Sequence, residues 1–299
     1  MARILITGAN GFTGTHLIER LAREGHQLFG LAHHINEANS PLVAHTWAAD
    51  LRDLEALSDI IAELQPERVV HLAAIANVAH GDASELYSSN VVGTRNLLHA
   101  LSKSESAPAA VLLVSSANIY GNRRKGVLTE DTPPAPANDY GVTKVACELL
   151  AQVYADRLPI ITVRPFNYTG RGQSEAFLIP KIIAHVRNRE PVIELGNIDV
   201  ARDFSDVRAI VDCYARLLDS PAAVGQVLNV CSGQARSLAE VLSLAEGIGG
   251  HRMEVRINSN FVRSDEVKSL CGSKERLESV IGPVAMPELA DTISWMLNA

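Results

Sequence analysis

The strongest constraint on the fold stands at the start of the chain. An apolar run, Arg3–Thr7, leads into Gly8-Ala-Asn-Gly11-Phe-Thr-Gly14 and then into a stretch of helical periodicity. Glycines permit the tight turn and let backbone approach a pyrophosphate closely. The helix that follows offers free N–H groups and the positive end of its dipole. A ligand-free glycine-rich turn is the plain alternative, but a strand before and a helix after favour dinucleotide binding. The residues this places on the dinucleotide are Gly8, Asn10, Gly11, Phe12, Thr13 and Gly14.

The same rhythm continues. Ala2–Thr7, Gln27–Ala32, Thr46–Ala49, Arg68–His71, Ala110–Ser115 and Ile160–Val163 read as buried strands. Phe12–Arg23, Leu54–Leu64, Glu85–Leu101 and Tyr140–Ala155 read as helices. Strand and helix in alternation imply an α/β fold, a doubly wound parallel sheet of Rossmann type. After Pro165 the regularity is lost. A loop with Asn167, Gly170 and Gly172 precedes a helix near Pro180–Arg189, a strand at Val192–Leu195, a helix at Val207–Leu218 and a strand at Gln226–Val230. Further helices are expected at Leu238–Ala245, Glu275–Ile281 and Pro287–Leu297. The reading is a dinucleotide-binding domain over 1–165, rejoined by 205–235, with a smaller interleaved substrate part over 166–204 and 236–299.

The chain has 299 residues, 47% hydrophobic and 20% charged, enough for a substantial core. A net charge of −7 and a pI near 5.8 argue against a nucleic-acid surface. Cys147, Cys213, Cys231 and Cys271 are too widely spaced for a metal pattern and read as reduced, buried thiols. Cys231 reads as a small filler after a core strand. No metal site is expected. Gly8, Asn10 and Gly11 interrupt the N-terminal apolar run too early for a signal peptide, and no run approaches the ~18 residues that span a bilayer. A cytoplasmic protein without membrane partners is the expectation.

Downstream, Ser116 ends an apolar run, and Tyr140-Gly-Val-Thr-Lys144 opens a helix. Four residues apart, Tyr140 and Lys144 share a helix face. A neighbouring ammonium would lower the phenol pKa from about 10 and fit it for proton transfer to a carbonyl oxygen. Where the cofactor ribose is read, the second strand ends Leu31-Ala-His33-His34, with neither an acid to repel a 2′-phosphate nor an arginine to hold one. His33 is solvated or donates to a phosphate, and NADPH is favoured with NADH possible. Asp50 suits the adenine amino group, with Leu51 beside it, or else caps the following helix. His71 reads as a strand-end packing residue.

In this order, Gly-x-x-Gly-x-x-Gly, the serine and Tyr-x-x-x-Lys resemble the extended short-chain dehydrogenase/reductase family of sugar-nucleotide epimerases and dehydratases, over essentially the whole chain. The resemblance implies Ser116, Tyr140 and Lys144 as the catalytic set, with Lys144 also on the nicotinamide ribose. It further implies Leu72, Ala73 and Ala74 along the cofactor, Asn90 near it, and Arg164-Pro165-Phe-Asn167 supplying Pro165 to the nicotinamide amide and Asn167 to the nucleotide sugar. Dehydratases of the family carry Asp-Glu after the serine. Here Ala117-Asn118 stands there, and neither residue titrates usefully, so dehydration is not the expectation.

Arg202-Asp-Phe-Ser-Asp206 and Arg263-Ser-Asp-Glu266 resemble the segments that hold a diphosphate and a ribose in sugar-nucleotide enzymes. Arg202, Arg263 and Glu266 are then substrate contacts, with Arg171 and Lys181 as further candidates. Surface pairs Arg202–Asp203 and Arg263–Asp265 are the ordinary alternative. Pro165–Gly170, Gly196–Phe204 and Asn229–Gly233 look most like GDP-4-keto-6-deoxy-D-mannose reductases, which make GDP-D-rhamnose. A GDP-linked sugar and a homodimer follow from the resemblance alone. A 4-epimerase holding NAD uses the same three catalytic residues and is the competing expectation.

Overall fold

A computed structural model describes residues 1–34, 40–76, 82–122, 126–259 and 269–298. β1 (Arg3–Thr7) is buried along almost its whole length because helices cover both faces of its sheet. α1 (Phe12–Ala22) follows the glycine loop and buries Leu17, Ile18 and Leu21. β2 (Gln27–Ala32) and β3 (Val43–Ala48) extend the sheet to one edge. α2 (Leu54–Leu64) starts at Asp53, whose carboxylate accepts the Ala56 N–H, and returns the chain to β4 (Arg68–His71). The sheet then grows on the other side of β1. α3 (Ala83–Tyr87) runs through a π turn (Ser88–Val92) into α4 (Gly93–Lys103), and β5 (Ala110–Val114) follows. A 3-10 turn (Ala117–Tyr120), β6 (Val127–Leu128), α5 (Asp139–Tyr154) and β7 (Ile160–Pro165) come next.

The second half supplies β8 (Asn167–Thr169), α6 (Leu178–Arg187), β9 (Val192–Leu195), β10 (Ala201–Asp206), α7 (Val207–Leu218) and β11 (Val227–Val230). Then come β12 (Ala235–Ser237), α8 (Leu238–Gly249), β13 (Glu254–Ile257), β14 (Ser269–Gly272), α9 (Glu275–Ile281) and α10 (Leu289–Leu297). The main sheet has the order β11-β7-β5-β4-β1-β2-β3 and is parallel throughout. It is the doubly wound Rossmann-type fold. The chain leaves β1 in one direction and returns through β4 in the other, so a crevice opens at the carboxyl ends of β1 and β4. β11 joins this sheet from the second half, beside β7.

A second sheet, β12-β10-β14-β6 with β8 on β10, and a parallel pair, β13-β9, form the rest. One face of the main sheet packs Ile4, Ile6 and Val163 on α1 and α7. The other packs Leu5, Val69 and Leu113 on α2, α4 and α5. α6, α8 and α10 enclose a third core around Ile182, Val241 and Ile293.

Three departures from the sequence reading have physical causes. The helix expected at Glu85–Leu101 is interrupted at Asn90, where the backbone widens into a π turn. β3 starts earlier than Thr46, at Val43, an edge position with its outer side chains in water. β6, β8, β12, β13 and β14 have four residues or fewer and β10 is mostly polar, so their pairing carries no clear local hydrophobic signal. Among the described residues, no helix is long and apolar enough to cross a membrane.

Candidate active site

The glycine loop closes on itself where Gly11 N–H donates to the Gly8 carbonyl at 3.0 Å. A Cβ on Gly14 would lie 2.4 Å from the Gly8 oxygen, so only glycine lets α1 begin this close to the loop. α1 has no side-chain cap at Gly11. Its first N–H groups are therefore free for an anion, and the cradle fits a dinucleotide pyrophosphate. The Phe12 ring stacks on Tyr168 at 6.0 Å, and Thr13 shares a hydrogen bond with the Tyr168 hydroxyl at 2.8 Å, so these two residues offer the crevice backbone rather than side chains. Asn10 Nδ2 donates to the His34 carbonyl at 3.1 Å and ties the loop to the end of β2.

At that corner His33 packs edge-on against His34, and its Nε2 lies 3.7 Å from Asp50. Asp50 accepts from the Arg52 guanidinium and backbone, and the guanidinium holds its carboxyl at about 2. It does not cap α2; Asp53 does. The Leu51 carbonyl accepts from Asn96 Nδ2.

Ser116, Tyr140 and Lys144 converge. Ser116 ends the strand region of β5 and caps the 3-10 turn, accepting the Asn118 N–H at 3.1 Å. Asn138 caps α5 by accepting the Gly141 N–H, which places Tyr140 in the first turn. A Cβ on Gly141 would lie 2.8 Å from the Asn118 carbonyl, so glycine lets α5 press against the serine turn. The Ser116 hydroxyl lies beside the Tyr140 phenol, close enough to pull its pKa down. Lys144 Nζ donates to the Val114 carbonyl at 2.8 Å and stands 5.8 Å from the centre of the Tyr140 ring. All three residues are buried.

The electrostatics correct the sequence argument. Tyr140 is pushed up to about 12 by burial, with the Ser116 hydroxyl acting the other way, rather than lowered by Lys144. Loss of water outweighs a cation whose nearest partner is the Val114 carbonyl. The Lys144 ammonium is itself pulled down by burial, against Cys147 and Glu148. A phenol in that state keeps its proton at neutral pH and is a proton donor.

Behind the three lies a buried polar frame. His71 Nδ1 is 2.7 Å from Thr7 Oγ1, and its Nε2 is 2.9 Å from Thr94 Oγ1. Thr94 gives its own proton to the Asn90 carbonyl at 2.6 Å, so it accepts from His71 Nε2–H and Nδ1 accepts from Thr7. Burial lowers the His71 pKa to about 3, so it packs as a neutral ring. Asn90 faces protein: Oδ1 accepts from Ile75 N–H, and Nδ2 donates to the Ile75 carbonyl and Thr143. These bonds fix Ile75, the residue after Leu72-Ala73-Ala74, against α5. Glu148, one turn beyond Lys144, accepts two bonds from Arg164 at 3.0 and 2.7 Å and one from Ser115 at 2.5 Å. That pair bolts α5 to β5 and β7. Pro165 closes β7 opposite Val230.

On the opposite wall, Asp203 is fully buried. It accepts from Ser232 N–H (2.8 Å) and Oγ (2.6 Å), Gly233 N–H (3.0 Å) and Gly272 N–H (3.4 Å). This overturns the surface Arg202–Asp203 pair. Alternation along β10 turns Asp203 inward, where burial raises its carboxyl. Arg202 lies on the other face, opposite Arg236 of β12, with Nη1 donating to the Ala201 carbonyl. Asn167, exposed on β8, donates to the Asp203 carbonyl at 3.4 Å. Lys181 donates to the Glu194 carbonyl at 2.8 Å. Arg171 is drawn elsewhere: its Nε donates to the Trp295 carbonyl at 2.6 Å and its guanidinium lies over that indole. Arg263 and Glu266 lie outside the described residues.

The sequence profile of the NAD dependent epimerase/dehydratase family matches residues 4–231. The chain belongs to that family. It is accordingly an NAD(P)-dependent enzyme of the extended short-chain dehydrogenase/reductase type. GDP-6-deoxy-D-talose 4-dehydrogenase of Aggregatibacter actinomycetemcomitans is 33% identical over 280 residues, covering 94% of this chain and 91% of the relative. GDP-6-deoxy-D-mannose reductase of Pseudomonas aeruginosa is 34% identical over 291 residues with the same coverage. The solved RMD protein of Pseudomonas aeruginosa, complexed with NADPH, superposes with a TM-score of 0.85 at 30% identity, over 100% of this chain and 97% of that one.

For this family member, sequence reasoning missed the residues that act through others. Glu148 carried a signal, its spacing of four from Lys144. Asn118 was read only as the lack of an acid. Asp203 carried none, because its partners come from β11 onward.

Proposed function

We propose that this enzyme reduces the 4-keto group of a nucleotide-linked 6-deoxyhexose. The preferred reaction is GDP-4-keto-6-deoxy-D-mannose to GDP-D-rhamnose, with NADPH as reductant. The observation that carries this reading is the Tyr140 phenol, buried beside Ser116 with its pKa at about 12. It is a proton donor ready for an alkoxide, in a turn where Ala117 and Asn118 leave no second acid to expel water. Both relatives described above are named for GDP-linked 6-deoxyhexoses, which supports the substrate class.

In this reading the keto oxygen sits between the Ser116 and Tyr140 hydroxyls. Ser116 polarises it, and Tyr140 releases its proton to the oxygen as charge develops there. Lys144 lowers the cost of the resulting phenolate and holds the ribose. A bound dinucleotide supplies the hydride. NADPH is supported at the β2 corner, where the Asp50 carboxylate is neutralised by Arg52 and His33 and His34 stand in place of an acid. Arg202, Arg263 and Glu266 are proposed for the diphosphate and ribose, with Asn167 and Lys181 at the nucleotide. A homodimer through α5 is supported by its stripe of exposed Val142, Leu149 and Val153.

The test is turnover of GDP-4-keto-6-deoxy-D-mannose with NADPH, beside UDP- and dTDP-linked 4-keto sugars. One reduced cofactor consumed per sugar, fastest with the GDP substrate, is expected. Conversion of a nucleotide sugar to its 4-epimer without consumption would replace this reading with an epimerase.

A further inference from the structure

Asn118 occupies a place where its chemistry is directed at one atom. Its main-chain N–H and its side-chain Nδ2 both donate to Ser116 Oγ, each at 3.1 Å. A serine hydroxyl has two acceptor sites and one proton. With both acceptor sites taken by Asn118, the proton must point away, toward the Tyr140 phenol or whatever oxygen lies between them. The backbone of Asn118 is fixed as well, since its carbonyl accepts the Gly121 N–H at 3.2 Å and faces the glycine of α5.

We propose that Asn118 is a positioning residue that forces Ser116 to act as a hydrogen-bond donor to the substrate carbonyl. It deepens the reductase reading and rests on it. A carboxylate here would accept the serine proton and turn it from the substrate. An amide of nearly the same shape supplies a donor instead. The residue is therefore more than the lack of a dehydratase acid: it sets the direction of the hydrogen bond that polarises the keto group.

The experiment compares Asn118→Asp and Asn118→Ala in the full-length protein, reading kcat and KM for the 4-keto sugar and NADPH affinity by fluorescence. Asn118→Asp should lower kcat about 10²-fold, the scale of losing one oxyanion donor. Asn118→Ala should be milder, because the backbone N–H still donates and water can replace the amide. KM and NADPH affinity should hardly move. A packing role predicts the reverse order, with the near-isosteric Asp better tolerated. Asp equal to or better than Ala, or both at the wild-type rate, overturns the proposal.

Should Asn118→Asp fail to fold, a double-mutant cycle decides. In a Ser116→Ala background, Asn118→Ala should cost nothing further, whereas an additive loss overturns the inference. Should the wild type reduce no 4-keto sugar, the reductase reading falls by itself. The Asp-below-Ala order is then measured on the nucleotide sugar the wild type does convert, and stands or falls there.

Discussion

The two walls of the crevice are built differently. The wall proposed for the dinucleotide centres on one contiguous segment: β1, four loop residues and the start of α1, held by backbone fit at Gly14. The wall proposed for the sugar nucleotide draws on β8, β10, β12 and β14, around one buried carboxylate, Asp203, that gathers donors from residues 232, 233 and 272. One wall depends on empty space for a main chain, the other on a charge with every partner in place. The Ser116 and Tyr140 hydroxyls proposed for catalysis stand on elements bolted to the main sheet by Glu148 and Arg164.

That contrast can be broken at three levels. The largest effect is expected in the middle. Tyr140→Phe removes the proton donor and should lower kcat about 10²–10⁴-fold while leaving NADPH affinity intact, measured by steady-state rates and fluorescence titration. A comparable loss of cofactor affinity would show that the phenol belongs to the dinucleotide wall.

Next come the walls themselves. Asp203→Asn weakens or leaves unmet several buried donors at about 1–3 kcal/mol. It should raise KM for the sugar nucleotide about tenfold or more with little change in NADPH affinity. Gly14→Ala should show the opposite pattern, weaker NADPH binding at about 1–3 kcal/mol of overpacking. If both variants damaged both ligands equally, the two walls would be one cooperative unit.

The smallest effect is on stability. His71 is neutral when folded, with its pKa lowered to about 3 by burial. Below pH 6.5 the unfolded chain takes up a proton that the folded chain refuses. Stability complete above pH 6.5 is therefore lost as pH falls toward 3, by about 1.4 kcal/mol per pH unit. Thermal melts of wild type and His71→Asn between pH 7.5 and 5 should show a shallower decline in the variant. Parallel curves would place the acid sensitivity elsewhere.

The same contrast explains what could be read in advance. α1, α2, α7 and the strands of the main sheet follow from hydrophobic period and glycine spacing, since each is buried on a face that its own sequence writes out. Ser116, Tyr140 and Lys144 are near neighbours of such elements, and their positions follow from strand ends and a helix turn. β10, Ala-Arg-Asp-Phe-Ser-Asp, is not among the strands read from the sequence, because it is mostly polar and its partners β8, β12 and β14 lie far along the chain. Arg171 is a candidate phosphate or base contact from its sequence, and what the sequence does not reveal is that its guanidinium lies over Trp295 of α10. The direction of the Tyr140 shift was misjudged for a related reason. The Tyr-x-x-x-Lys spacing reveals the cation but not the burial, and burial is the stronger of the two.

Isotope transfer tests the central claim most directly. With NADPH carrying deuterium at both C4 positions of the nicotinamide and GDP-4-keto-6-deoxy-D-mannose as substrate, the account predicts one deuterium per product molecule, bonded to the former carbonyl carbon. A converted sugar carrying no deuterium at that carbon would contradict it.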